Sequence, residues 1–359
     1  MKITDIQASI LSFRNREIVS STSWRDMRRV LVEVETDGDI KGVGEAFGAL
    51  SNDAVVSLVE GGLKRIVVGE DPFEIEKLVR KMVQSSTYIG RTGITRHAIA
   101  GVELSLWDIL GKAKEMPVYQ LLGGAFRDRA KAYASMPRIN KVDDVVKYIK
   151  YCVQKGFKAI KLHQRDLESI EAAREATGDE VEIMVDANCP WTRIQALAVA
   201  RACEDYDIRW LEEPIQPADD YMGLAELKAS VDIPIACGEN ESTLRGFKTI
   251  MDLGAVDVLQ PSLTKIGGLL LGKKICAMAE AYNVEVAPHS WTLPMGVFAS
   301  LHLVISSPSC TYVEVPPDLE ESPLSTSLHI DDGFVLQPKE PGLGYVLDEK
   351  MVIKHKITP

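Results

Sequence analysis

The run IMVDANCPWTRIQALAVARACEDYDIRWLEEPIQPADDYMGLAELKASVDIPIACGE, residues 183–239, states one pattern three times. Each time a short apolar segment ends in an acid, and helical stretches separate the three. The acids are Asp186, Glu212 and Glu239, spaced 26 and 27 residues apart. That interval holds one strand, one helix and their loops, which is the pitch of a repeated βα unit. In a parallel β/α barrel the carboxyl ends of the strands open on a shared mouth, so acids at those ends converge although they lie far apart in sequence. Converging carboxylates repel unless a cation joins them, and hard oxygen donors suit Mg²⁺. One Mg²⁺ per chain, held by Asp186, Glu212 and Glu239, is the expectation.

Outward from this run the same unit continues in both directions. Strands are legible in KAYAS (131–135), KAIKLH (158–163), EIMVDAN (182–188), IRWLEEP (208–214), IPIACGE (233–239), VDVLQPS (256–262), VEVAPH (284–289) and TYVEVP (311–316). Near-continuous apolar strands alternating with helical stretches argue for a parallel sheet buried on both faces, and a closed eight-stranded barrel satisfies that count. Upstream, residues 1–50 alternate as a hairpin or meander, residues 52–82 and 92–116 turn helical, and Gly123-Gly124 ends the block. At 359 residues the chain exceeds the roughly 250 of a lone barrel. The expected fold is α/β: a modified TIM-type barrel at 126–320, an α+β capping domain at 1–125, and a C-terminal segment at 321–359 that packs back on the cap.

Composition narrows the partners. A net charge of −11 gives no electrostatic reason to bind nucleic acid or an anionic membrane surface. No uninterrupted apolar run of about 18 residues occurs, and the opening MKITDIQASILSF lacks a basic stretch before a long apolar one. The six cysteines are scattered without a CxxC pair, which reads as buried thiols in a reducing compartment. A cytoplasmic protein without nucleic-acid or membrane partners, assembling as a homo-oligomer, is expected.

Several residues near the acids can carry chemistry. Side chains two apart on a strand share a face, so Lys161 and His163 in KLH point into the mouth if Asp186 does. An ammonium beside an imidazole disfavours imidazolium and leaves His163 able to accept a proton. His289, in EVAPHSW, lies roughly across the barrel, so the two imidazoles can address both faces of a bound carbon acid. Glu314 is a fourth acid at the same level, and Asn188 suits a hydrogen bond to a ligand or to the substrate. Loops at 14–26, with Trp24 and Arg25, and at 47–52 are candidates either to close over the mouth or to be plain surface loops, and Trp24, Trp191 and Trp291 are candidates to line the pocket or to pack in the core.

Taken in order, GVGEA near Glu45, AIAGVELSLWDILGKAKEMPVYQLLGG (98–124), KLH, VDAN, WLEEP, GEN, QPSLTKIGG, APH and PGLG (341–344) carry a family resemblance. The chain resembles the enolase superfamily, specifically the mandelate racemase/muconate lactonizing enzyme family and its subgroup of acid-sugar dehydratases. The resemblance covers nearly the whole length and implies a cap from both termini, Mg²⁺ on the residues matching Asp186, Glu212 and Glu239, and abstraction of the proton α to a carboxylate. By this match the first glutamate of EEP is the ligand, and Glu213 faces away. Two departures stand out. The family's Lys-x-Lys on the second strand is Lys161-x-His163 here. The aspartate that normally orients the seventh-strand histidine is replaced by Ser262 in Gln260-Pro261-Ser262, a neutral group that can at most hydrogen-bond His289.

The function expected is therefore loss of the α proton to His163, helped by Lys161, with the substrate carboxylate on Mg²⁺ and Glu314 and the enediolate stabilised by the metal. Loss of a β-hydroxyl, assisted by His289, then gives a 2-keto-3-deoxy acid: an aldonate or aldarate dehydratase. A racemase, an epimerase or a sugar-lactone cycloisomerase would use the same first step. A catalytically silent metal-binding scaffold is the third reading.

Overall fold

The computed structural model describes residues 1–21, 25–316 and 319–357. Three N-terminal strands, β1 (Ile3–Arg14), β2 (Asp26–Thr36) and β3 (Lys41–Ala46), form an antiparallel meander whose central pairing runs from Ile3–Thr36 to Arg14–Asp26. β3 lies so close to the helix Ile94–Ala113 that a Cβ on Gly42 would sit 2.1 Å from Ser105 O, and one on Gly44 2.2 Å from Gly101 O. Only glycine allows this approach, which is why the strand reads GVG. That helix is buried on nearly every face, between the meander and the rest of the molecule.

Eight further strands make the barrel: β4 (Arg129–Ser135), β5 (Ala159–Leu162), β6 (Glu182–Asp186), β7 (Ile208–Glu212), β8 (Ile235–Cys237), β9 (Val258–Leu259), β10 (Glu285–Val286) and β11 (Tyr312–Val315). All neighbours pair in parallel, from β10 through β4 to β11, and a parallel bridge between Val286 and Cys310 brings the ends together. The strands are shorter than the apolar runs that announced them. Glu239, Ser262 and His289 thus stand on loops just beyond β8, β9 and β10. The barrel interior is filled by one side chain from each unit: Tyr133, Ala159, Met184, Trp210, Ala236, Val258, Ala287 and Tyr312. Tyr133, Trp210 and Tyr312 pack edge to face within this layer.

The C-terminal segment serves both sheets. β12 (Phe334–Leu336) pairs antiparallel with β4 of the barrel, and β13 (Lys356–Ile357) pairs with β1 of the meander. Buried carboxylates of the N-terminal domain join the two parts. Glu103 accepts from the amides of Leu269 (2.8 Å) and Leu270 (2.7 Å) at the start of the helix Leu269–Tyr282. Asp108 accepts from Val43 N and Leu343 N, each at 2.9 Å. The six cysteines are free thiols.

Candidate active site

The site is the next inward layer of the barrel. Side chains on a strand return to the same face every second residue, so two steps beyond the filled layer come Ser135, Lys161, Asp186, Glu212, Gly238, Gln260, His289 and Glu314. This layer is polar where the one below is apolar. The parity also places Glu212 inward and turns Glu213 away from the metal-ligand position. Glu239 breaks it. Gly238, at φ 133°, bends the chain after β8 in a conformation that side chains rarely adopt, and a Cβ there would lie 3.0 Å from Gln260 N. The bend brings Glu239 rather than residue 238 to the mouth.

Asp186, Glu212 and Glu239 each present a carboxylate oxygen within 4.8 Å of the others, close enough to share one ion. Lys161 is fully buried behind them, 2.9 Å from Glu212 Oε1, 3.0 Å from Glu314 Oε1 and 3.6 Å from Asp186 Oδ2. Burial alone would lower its pKa, but Glu212 and Glu314 hold it well above the usual lysine value. Lys161 is therefore a fixed ammonium. Glu212 also accepts from Trp210 Nε1 (3.2 Å) and Gln260 Nε2 (2.6 Å). Burial, reinforced by Asp186, pushes Glu212 well above the usual carboxylate range against the pull of Lys161. For Asp186 burial is outweighed by Lys161 and His163, and for Glu239 by His289 and Lys265, so both are held low.

The donor set fits a divalent cation. Imidazoles aside, Asp186, Glu212, Glu239 and Glu314 bring four formal negative charges, and Lys161 with Lys265, 3.0 Å from Glu239, brings two positive ones. Burial, with Glu239 and Asp186, pushes Glu213 up to about 8. The three ligands offer only oxygen donors, the chemistry that suits Mg²⁺. Asn188 supports it by donating from N (2.9 Å) and Nδ2 (2.8 Å) to Asp186 Oδ1.

Two imidazoles flank the triad. His163 Nε2 lies 3.1 Å from Asp186 Oδ2, and His289 Nε2 lies 2.7 Å from Glu239 Oε2. His163 Nδ1 contacts the carbonyl of Met136. A carbonyl only accepts, so Nδ1 carries a proton, and Nε2 is the nitrogen that faces Asp186 and the cavity. Ser262 does not take the place of the missing aspartate: its buried Oγ and the buried His289 Nδ1 each lack a hydrogen-bond partner among the described residues. The ring is contacted at its other nitrogen by Glu239. Glu314 accepts from the amide of Ser290, next to His289.

Above the triad opens a cavity of about 940 Å³. His163, Asp186, Asn188, Glu239, His289 and Trp291 line it from the barrel, and Arg25, Arg28, Phe47, Leu50 and Asn52 from the N-terminal domain. Both loops picked out in the sequence thus reach it. Trp191 does not line it and packs against the core. Trp24 lies outside the described residues. Glu45, Arg29, Lys265 and Gln260 were missed as contributors. Glu45 and Lys265 sit inside motifs already quoted, GVGEA and QPSLTKIGG, but no spacing rule connects them to the acids.

The chain matches two family models: mandelate racemase/muconate lactonizing enzyme, N-terminal domain, over residues 7–123, and enolase C-terminal domain-like over residues 144–351. It is 34% identical to an arabinonate dehydratase of Saccharolobus solfataricus over 355 residues, spanning 96% of this chain and 94% of that protein. To a D-galactarolactone cycloisomerase of Agrobacterium fabrum it is 31% identical, spanning 99% of each. A racemase of Streptomyces coelicolor A3(2), solved with bound magnesium, superposes with a TM-score of 0.89 at 28% identity, over 99% of this chain and 100% of that one.

Proposed function

This chain belongs to the mandelate racemase/muconate lactonizing enzyme family of the enolase superfamily, and from that premise we propose that it is an Mg²⁺-dependent acid-sugar dehydratase converting an aldonate or aldarate to a 2-keto-3-deoxy acid. The observation that carries the proposal is the pair of imidazoles set on either side of a carboxylate triad and open to one cavity. Asp186, Glu212 and Glu239 would hold the metal, which when bound supplies positive charge for the substrate carboxylate and for the enediolate that develops from it.

The protein's own groups do the rest. His163, its tautomer set by Met136 O, takes the α proton on Nε2. Lys161 is not a base, because its ammonium is locked among carboxylates; it holds Glu212 and Glu314 in place and offsets their charge. Glu314, bonded to the amide of Ser290 and paired with Lys161, would lie beneath the substrate carboxylate. His289 gives a proton to the departing β-hydroxyl. Hydroxide is a poor leaving group, so this proton matters to dehydration.

A second reading, lactone cycloisomerisation, is favoured by one feature. The Nε2 of His289 is engaged by Glu239 and its Nδ1 has no partner among the described residues, whereas lactone opening expels a carboxylate that needs no proton. Product analysis by NMR separates the two: a 2-keto-3-deoxy acid supports dehydration, and an isomer of unchanged mass supports ring opening. Relatives of both kinds occur, as the two named proteins illustrate.

A further inference from the structure

We propose that Arg29 and Glu45, both on the capping sheet, are positioning residues that clamp the loop carrying His289 and Trp291, so that docking of the cap sets the geometry of the barrel site. The proposal deepens the function above and rests on it only for its turnover measurement.

Glu45 stands near the end of β3 and is fully buried. Its carboxylate accepts from the amides of Leu293 (2.8 Å) and Gly296 (2.9 Å), at the start of the helix Pro294–Ser306 that follows the His289 loop. Arg29, on the neighbouring strand β2, is 5% exposed, with Nε 3.9 Å from Glu45 Oε1. It donates from Nη2 to Trp291 O and from Nη1 to Arg28 O. One carboxylate and one guanidinium from the cap therefore hold three backbone groups of residues 291–296. Trp291 passes the constraint on, since its ring packs edge-on to His163 at 5.4 Å between centroids.

A second arm runs through Phe47. Its ring lies under the Arg29 guanidinium at 4.6 Å and under Lys265 Nζ at 4.6 Å, and its amide donates to Thr264 O at 3.2 Å. Lys265 in turn reaches Glu239. The cap thus grips both barrel loops that supply the far side of the site. A buried ion pair is a poor way to stabilise a fold, because desolvation of two charges offsets most of their attraction. Its partners here are the backbone of a site loop, which an apolar pair could not hold.

The test uses the full chain with Mg²⁺ and the variants Arg29→Met and Glu45→Gln. Hydrogen exchange at Leu293 and Gly296 should rise at least about tenfold, and the imidazole NMR signals of His163 and His289 should shift, with no substrate needed. On the acid sugar turned over, kcat should fall about 100-fold, the loss that a misplacement of about 1 Å can cause, while KM stays within about threefold. If either variant fails to fold, Arg29→Ala with added guanidinium ion replaces it, and recovery of the imidazole signals supports the clamp. Unchanged exchange, or unshifted imidazole signals, overturns it. A wild-type chain that turns over no acid sugar overturns the dehydratase reading alone, since the exchange and NMR arms still decide the clamp.

Discussion

Lys161 shows most plainly how the charges of the site depend on one another. It is the buried cation between Glu212, Glu314 and Asp186, and removing it strands carboxylates in a low-dielectric interior. Lys161→Met should therefore destabilise the metal-free protein by about 3–5 kcal/mol, read as a shift in urea denaturation, and added Mg²⁺ should restore more stability to the variant than to the parent. A loss below about 1 kcal/mol would contradict this account. Glu212 gives a second test. Burial and Asp186 push it well above the usual carboxylate range against the pull of Lys161, so Mg²⁺ competes with a proton for this carboxylate. Calorimetric titration with Mg²⁺ should show the affinity falling as the pH drops, and an affinity that does not change with pH would contradict the assignment. His163→Asn should lower kcat about 10²–10⁴-fold, the usual contribution of a general base, and a variant with full activity would remove His163 from the mechanism. At this scale the sequence was informative where a strand's two-residue period runs unbroken, as for Lys161, His163, Asp186 and Glu212. It was silent where contacts come from another domain, as for Arg29 and Glu45. Glu239 was legible from repeat spacing although the bend at Gly238 breaks the parity.

Among the elements, helix starts are where the two domains meet. Glu103 caps Leu269–Tyr282 from the N-terminal domain, and burial, opposed by its amide donors and Trp107, pushes it to about 7. A carboxyl raised on folding contributes stability that is whole below its unfolded value near 4.5 and lost as the pH rises through 7. Glu103→Gln, neutral throughout, should not show that loss. Between pH 5 and pH 8 the parent should lose about 2–3 kcal/mol relative to the variant, and parallel stability curves would contradict the assignment. His302 works in the other sense. Burial depresses it to about 4, so its contribution is present above 6.5 and is lost as the pH falls through 4. Strand identity was legible because buried parallel strands read as apolar runs. Their ends were not, because the same apolar residues continue into loops that the mouth buries: Ala187, Ile215 and Ala287 lie beyond strand ends yet are buried. The pairing of β12 with β4 had no signal, since Phe334–Leu336 is too short to show a period.

As a whole the molecule is a barrel whose chemistry faces a second domain. Eight inward side chains fill one layer, eight more make the floor of the site, and the cap closes the cavity above. This division explains why the first half of the reaction is legible and the second is less so. The acids of residues 183–239 converge to share a cation, whereas under the proposed mechanism the leaving group would depend on His289, on Ser262 and on cap residues such as Arg25, Arg28 and Leu50 around the cavity. Among the described residues no helix is long and apolar enough to cross a membrane. The central claim is proton abstraction followed by loss of water, and one experiment tests it most directly: incubation with Mg²⁺ and a panel of aldonic and aldaric acids in D₂O, followed by NMR. The account predicts that at least one acid gives a 2-keto-3-deoxy product, and that chelation of the metal abolishes its formation. Deuterium entering a substrate with no keto acid released, or no change in any acid of the panel, would contradict it.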